Sequence, residues 1–397
     1  MTQIKHYELG ELADVTKLAG FEFTKYIKYN NYGEIIALRA LNLRHGELDL
    51  TDIKRIDRSV SELLPRRKLY INDILLTYTG NGYGDCAIIE ENDKYHLAPN
   101  ICKIAPNVEK VVPYYLYSYI RTNEFYKIMS SHMTGSSQPT IPMKTIRMLP
   151  IPLPPIVVQE KIAEVAYCIN EKIRKNNAIN KNLEQQAQAI FANEFLSLET
   201  LPEGWKQASL IDIADYLNGL AMQKYRPTAD ESGIPVLKIK ELRQGCCDDN
   251  SELCSPNIKS NYIIHDGDVI FSWSGSLLVD LWCGGICGLN QHLFKVTSSK
   301  YDKWFYYAWT KHHLDRFVAV AADKATTMGH IKRDELAKAE VLIPNKKDYD
   351  RIGALLQPIY EMIISNRIEN KKLAATRDTL LPKLMNGEID ISEVDYE

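Results

Sequence analysis

No unbroken run of about 18 apolar residues, the length a membrane-spanning helix needs, occurs in this chain. The N-terminus, MTQIKHYELG, lacks the apolar stretch and small-residue cleavage site of a secretory leader. The expectation is a protein of the cytoplasm with no membrane partner. Cysteine is sparse, eight in 397 residues, and irregularly spaced, which suits reduced thiols rather than a disulfide framework. Excess charge of either sign is also missing. A net charge of −3 neither advertises nor excludes a polyanionic ligand, because phosphate affinity depends on where Lys and Arg lie.

Catalytic signatures are missing as well. No glycine motif joins a strand to a helix as an S-adenosylmethionine site requires. No Asn/Asp-Pro-Pro-aromatic tetrapeptide of an amino-methyltransferase occurs, since the only adjacent prolines, Pro154 and Pro155, follow Leu153. Gly80, Gly82 and Gly84 form GNGYG without the Lys-Ser/Thr of a phosphate-cradling loop, so the motif reads as a tight turn exposing Asn81 and Tyr83. Asp73 and Asp268 open apolar runs without the Glu-x-Lys that a nuclease would add. Cys283 and Cys287, with Cys246, Cys247, Cys254 and His292 nearby, have zinc-ligand chemistry but no second clean pair, and no metal is expected. His312 and His313 are expected to cap or line the exposed face of an aromatic helix. No catalytic residue is assigned.

What the chain does have is a repeat. Shifting the sequence by 190 residues lays 141–194 on 331–384, so that Ile141, Ile146, Ile151, Leu153 and Pro154 fall on Ile331, Leu336, Val341, Ile343 and Pro344. Upstream, with a shift near 195, INDILLTYTG at 71–80 matches HDGDVIFSWSG at 265–275, and 36–46 pairs with 236–245. Each copy reads as a globular part followed by a long helix. The expected domains are 1–155, a helix over 156–200, a second globular domain over 201–346, and a helix with tail over 347–397. Short β-branched and aromatic runs between Gly-, Asn- and Asp-rich turns make the globular parts α/β or α+β. Tyr114–Phe125 and Trp304–Phe317 each read as one aromatic helix, packed into a core.

The helical parts carry a seam. Ile162, Ala166, Ile169, Ile173, Asn176, Asn180, Leu183, Ala187 and Ile190 step by three and four residues, as do Ile352, Leu356, Ile359, Ile363, Asn366, Asn370, Leu373, Arg377 and Leu380. Asparagine in such a seam weakens it but fixes register, because an unpaired buried amide costs more than a paired one. Antiparallel pairing would let Asn176 and Asn180 face Asn366 and Asn370; the alternative is that these amides sit on a wet edge. A helix of about 35 residues is roughly 50 Å long. That length matches roughly 15 base pairs of duplex.

Four segments carry a resemblance: GSSQPTIPMKTIRMLPIPLPP at 135–155, ATTMGHIKRDELAKAEVLIP at 325–344, LEQQAQAIF at 183–191 and RDTLLPKLMNGEI at 377–389. In this order they resemble the specificity subunits of type I restriction-modification systems, over essentially the whole chain except the cysteine-rich insert at 246–254. The resemblance implies an α+β fold of two tandem target-recognition domains, each followed by a long helix, with the helices paired as an antiparallel coiled coil. It implies a non-catalytic subunit whose domains each read half of a bipartite, asymmetric target in double-stranded DNA. It further implies two methylation subunits, which hold S-adenosylmethionine and modify adenine, and two restriction subunits, which use ATP and Mg to cleave.

Base reading needs side chains with fixed donors and acceptors, and affinity needs Lys and Arg against phosphate. The loops that follow strands offer both. In the first domain the candidates are Arg39, Asn42, Thr79, Asn81, Tyr83, Ser136, Ser137, Gln138 and Lys144. In the second they are Lys238, Lys240, Trp273, Ser274, Ser276, Lys324, Thr326, Thr327, His330 and Lys332. Each has a plain alternative as a turn former or solvated side chain, as does the charge run Arg66, Arg67 and Lys68. Two rival functions stay open: a coiled-coil scaffold whose heads bind proteins, and a free-standing nuclease or methyltransferase.

Overall fold

Apolar runs bounded by glycine build the same frame twice. The structure, a computed structural model, describes residues 4–44, 46–80, 82–135, 139–323, 331 and 333–391. Backbone contacts divide it into one unit of Met1–Lys172 with Leu373–Glu397, and a second of Ile173–Lys372.

In the first unit Ile74–Thr77, buried throughout, lies in an antiparallel sheet between Ile101–Pro106 and Cys86–Ile88, with Ala13–Lys17 at the far edge. A smaller sheet sets Ile35–Leu38 parallel to Tyr95–Leu97 and antiparallel to Lys54–Ile56. Lys5–Glu8 pairs with Pro150–Leu153, a two-stranded ribbon in which proline removes no central ladder bond. The second unit repeats this plan. Val269–Ser272, also buried throughout, lies between Leu293–Thr297 and Leu278–Leu281, with Asp215–Asn218 at the edge. Ile234–Leu237 runs parallel to Cys287–Leu289, and Lys206–Ser209 pairs with Glu340–Ile343.

Each aromatic stretch read as one helix is in fact two. Pro113–Ile120 is buried on nearly every side, and Asn123–Ser131 starts afresh because the Thr122 hydroxyl accepts from the Phe125 N–H at 3.2 Å. In the second unit Lys303–His312 and Leu314–Asp323 are separated at His313. Each break falls at a side chain that bonds the backbone: the Thr122 hydroxyl also donates to Tyr119 O at 2.8 Å, and His313 contacts Glu340 O at 2.7 Å.

The two long helices cover Ile156–Phe191 and Lys346–Met385, each following a proline-ended strand segment. Every residue of both expected seams is buried or half-buried. Packing, rather than chain order, sets the units. The first core takes Val158, Ile162 and Ala166 from one helix and Leu381, Leu384 and Met385 from the other. The second takes Ala187 and Phe191 from one and Ile352, Leu356, Tyr360 and Ile363 from the other.

Within the second unit the helices run antiparallel. The Asn176 amide donates to Asn370 Oδ1 at 2.8 Å and to Glu369 Oε2 at 2.7 Å, and Asn366 donates to Asn180 Oδ1 at 2.9 Å. Asn176, Asn180 and Asn366 are all buried. Arg367 then ties the pair to its domain, reaching Asp280 at 2.8 Å and Glu184 at 2.9 Å. In the first unit Arg377, a charged residue in an otherwise apolar seam, donates to Asn170 Oδ1 at 2.8 Å, whose amide in turn donates to the Tyr114 hydroxyl.

Replacing Asn176 alone by leucine strands the Asn370 carbonyl, and a loss of about 1–3 kcal/mol in unfolding free energy is expected. Replacing both Asn176 and Asn370 should recover much of that loss while broadening spin-label distances between the helices. Equal stability for all three variants and unaltered distances would show that these amides do not hold the register.

Candidate nucleic-acid interface

The strand–turn that ends in glycine is the best-defined candidate surface. Gly80 (φ 86°) and Gly275 (φ 66°) occupy the left-handed region at equivalent points of the two units, closing the runs TYTG and SWSG. In both, the strand's last aromatic residue receives a later segment of chain: Ile141 N–H donates to Tyr78 O, and Ile331 N–H to Trp273 O, each at 3.0 Å. The first unit adds Gly80 N–H to Pro139 O at 2.9 Å and a 2.6 Å contact between the Thr79 and Thr140 hydroxyls. The glycine turn and the segment 139–141, about 60 residues later in sequence, therefore lie side by side.

Several candidates turn out to build this surface rather than project from it. Asn42 is fully buried. Its carbonyl oxygen accepts from the Arg39 N–H at 3.0 Å, and its amide donates to Asp49 O and Asp52 O at 2.8 Å. Thr79 and Ser274 are buried too, Thr79 against Thr140 and Ser274 beneath its turn. A short polar side chain in a tight loop meets the loop's own unpaired backbone groups before it meets anything outside. Arg39 is partly buried and committed to Asp52, at 2.8 Å to its carbonyl and 3.1 Å to its carboxylate. Tyr83 stacks on Tyr126 with centroids 5.3 Å apart, and Trp273 donates its indole N–H to Asn218 Oδ1 at 3.0 Å. Lys238 pairs with Glu252 at 2.6 Å and Lys240 with Asp248 at 3.2 Å. Lys144 and Ser276 are exposed. Asn81, Ser136, Ser137, Gln138, Lys324, Thr326, Thr327, His330 and Lys332 lie outside the described residues.

The charge run divides. Arg67 is enclosed with Glu22 at 3.0 Å, the Lys68 carbonyl accepts from Lys103, and Arg66 alone is well exposed. Asp73 and Asp268 have matching structural duties. Each carboxylate accepts a backbone N–H three residues earlier, from Tyr70 and His265, at 2.8 Å. Each also faces a lysine of the neighbouring strand, Lys103 at 3.7 Å and Lys295 at 2.8 Å. Both lysines donate onward to backbone carbonyls, Lys68 O and Ile263 O, at 3.0 and 3.1 Å. Burial pushes the Asp73 carboxyl above its ordinary value, against the pull of the Tyr70 N–H and Lys103. These are paired charges, buried in the first unit and half-buried in the second, that hold a turn to a sheet.

Among the described residues no group of three or more His, Cys, Asp or Glu is arranged to hold a metal. The Cys283 thiol is directed at Leu281 O, while Cys287 contacts Cys247. No described helix is long and apolar enough to cross a membrane. Asp85, Arg121, Asn170, Arg377 and Asp378 line a cavity of about 280 Å³ in the first unit, where acids and bases alternate.

A family model for the type I restriction modification DNA specificity domain matches residues 1–188 and again 202–375. The chain belongs to the type I restriction-modification specificity family. It is a specificity subunit, the DNA-recognition component and not a catalytic one, of a complex with methylase and restriction subunits. Among its relatives, the type I restriction enzyme MjaIX specificity subunit of Methanocaldococcus jannaschii is 26% identical over 72% of this chain and 71% of its own length. The HindI specificity subunit of Haemophilus influenzae is 20% identical over 98% of this chain and all of its own. The S subunit of a type I restriction-modification system from M. genitalium has the same fold, with a TM-score of 0.57 at 13% identity over 96% of each chain.

One further departure concerns histidine. His313, read as capping its helix or lining the exposed face, is the C-cap of Lys303–His312 but is buried, and it contacts Glu340 O through Nε2 at 2.7 Å, tying its helix to the strand Glu340–Ile343. His96, fully buried in the first unit, contacts Leu97 O through Nδ1 at 2.9 Å. Burial pushes both imidazoles from 6.5 down to about 4. Folded values below the unfolded one mean that the neutral rings are preferred in the fold. Their contribution is complete above pH 6.5, falls as the pH drops, and is exhausted near 4, on the order of 1–3 kcal/mol for each ring. The melting temperature should decline between pH 6.5 and 4, and His96→Asn or His313→Asn should flatten that decline. An identical pH profile in wild type and both variants would contradict the assignment.

Proposed function

We propose that this specificity subunit reads a bipartite, asymmetric duplex target, one half by each unit, and places two methylation subunits for adenine methylation within the halves. With two restriction subunits added, the same recognition directs cleavage. S-adenosylmethionine is then held by the methylation subunits, and ATP and Mg by the restriction subunits. The paired helices set the spacing between the halves, and the domains 1–155 and 201–346 act as separable readers.

One observation carries the reading: the two units share a frame down to the Asp73–Lys103 and Asp268–Lys295 pairs, yet differ in what they expose at equivalent positions. The exposed Lys144 of one unit answers to the exposed Asp334 of the other, 190 residues later, and the buried Tyr78 at one glycine turn to the half-buried Trp273 at the other. A duplicated scaffold with unlike surfaces suits two unlike half-sites, since base edges are told apart by the donors and acceptors set against them. The candidates left exposed, Lys144, Ser276 and the partly engaged Lys240, are suited to phosphate or base contact.

Co-expression with the methylation subunits, followed by single-molecule mapping of methylated adenine, tests this directly. Exchanging residues 1–155 for the same region of a relative should change one half of the motif and leave the other half intact. A methylation map that is indifferent to this chain would overturn the reading and favour a protein-binding scaffold.

A further inference from the structure

Residues 23–33 read FTKYIKYNNYG, in which Phe23, Tyr26, Tyr29 and Tyr32 recur every third position around Lys25 and Lys28. No carboxylate falls between Glu22 and Glu34. The first three rings are accounted for, because Phe23, Tyr26 and Tyr29 pack on a small core of Leu18, Ile27, Ile35, Ile56 and Leu64. Tyr32 is not: it is 94% exposed, more than any other large apolar side chain among the described residues.

This exposure is built into the loop. Asn30 Oδ1 accepts from the Tyr32 N–H at 2.8 Å and also from the Gly33 N–H. The Asn30 amide donates to Asp57 at 2.9 Å, and its backbone N–H to Arg55 O at 3.0 Å. Arg55 donates back to Gly33 O at 3.2 Å. Gly33 lies so close to the Ile56 backbone that a Cβ there would come within 2.4 Å of Ile56 O. A tyrosine held outward by so many fixed bonds has lost its loop entropy in advance, which is the arrangement that favours binding.

The second unit differs here. Its equivalent segment is a short turn, Met222–Lys224, followed by Tyr225 at 40% exposure and by Arg226, which is tied to Glu252 at 3.2 Å. The difference falls between strands that the two units share, which is where two readers of unlike half-sites have to diverge.

We infer that Tyr32, with Lys25 and Lys28, is a DNA contact of the first unit: the ring lies against a base step while the two exposed lysines take adjacent phosphates. Interleaved aromatic and basic residues with no acid among them suit a duplex, whose phosphates take the lysines and whose groove admits an apolar ring wedged at a base step. The inference rests on the DNA-reading function proposed above and adds a specificity-determining residue to it.

The test uses the full chain in complex with its methylation subunits, and fluorescence anisotropy with two duplexes: the target found by methylation mapping, and a scrambled sequence. Tyr32→Ala should weaken target binding by at least about fivefold. Tyr32→Phe should bind as wild type does, and both variants should melt as wild type does. Lys25→Ala with Lys28→Ala should lower the salt slope of binding by about two. Full target affinity in Tyr32→Ala overturns the inference while leaving the DNA-reading function standing. Loss of the methylation subunits from Tyr32→Ala, with DNA affinity intact, assigns the surface to a protein contact and overturns it as well. A wild-type complex that binds both duplexes equally overturns the function itself.

Discussion

The amide hydrogen bonds donated by Asn176 to Asn370 and by Asn366 to Asn180 are the constraint on which the rest of the structure depends. An apolar seam with a seven-residue repeat can slide by one repeat at modest cost, since one leucine-sized side chain replaces another. Buried amides cannot slide, because each shift leaves a donor and an acceptor unpaired away from water. The register matters because each core is finished by both helices. Ile352, Leu356 and Ile363 reach the second core only if Ala187 and Phe191 are set correctly opposite them, and Leu381 and Leu384 belong to the first core beside Ile162 and Ala166.

Duplication explains the other features of the frame. The Asp–Lys pair, the carboxylate that caps its own turn and the helical arginines that reach a strand carbonyl all occur in both units. Arg147 meets Val15 O, and Arg333 meets Tyr216 O. None of these groups is free to do chemistry, because each is buried or paired. Asp73 and Asp268, the acids that open the two matching apolar runs, serve to fix turns against sheets.

The periodic part of the chain was the most legible. A three–four spacing with two asparagines at matching places is a statement about one face of a helix, and the helix has only one way to bury that face. The loops were legible only in outline. The repeat located the glycine turns, but sequence alone does not separate an Asn that reads a base from an Asn42 that closes its own loop, since both need the same donors and acceptors. Arg67 and Lys238 were ambiguous for a similar reason: their carboxylate partners, Glu22 and Glu252, are distant in sequence. The aromatic helices broke at Thr122 and His313, where a side chain that bonds the backbone outweighs helical periodicity. The one signal that was overlooked, the threefold spacing from Phe23 to Tyr32, lies outside the repeat, in a segment where the two copies have parted.

Under the proposed function, the paired helices, locked by their asparagines, set the distance between two separate DNA readings. Inserting seven residues between Lys181 and Asn182, and seven more between Ile364 and Ser365, keeps the seam in phase and lengthens each helix by about 10 Å. Methylation mapping of this variant should return the same two half-sites with a gap about three base pairs longer. An unchanged gap, or altered half-sites, would contradict the account.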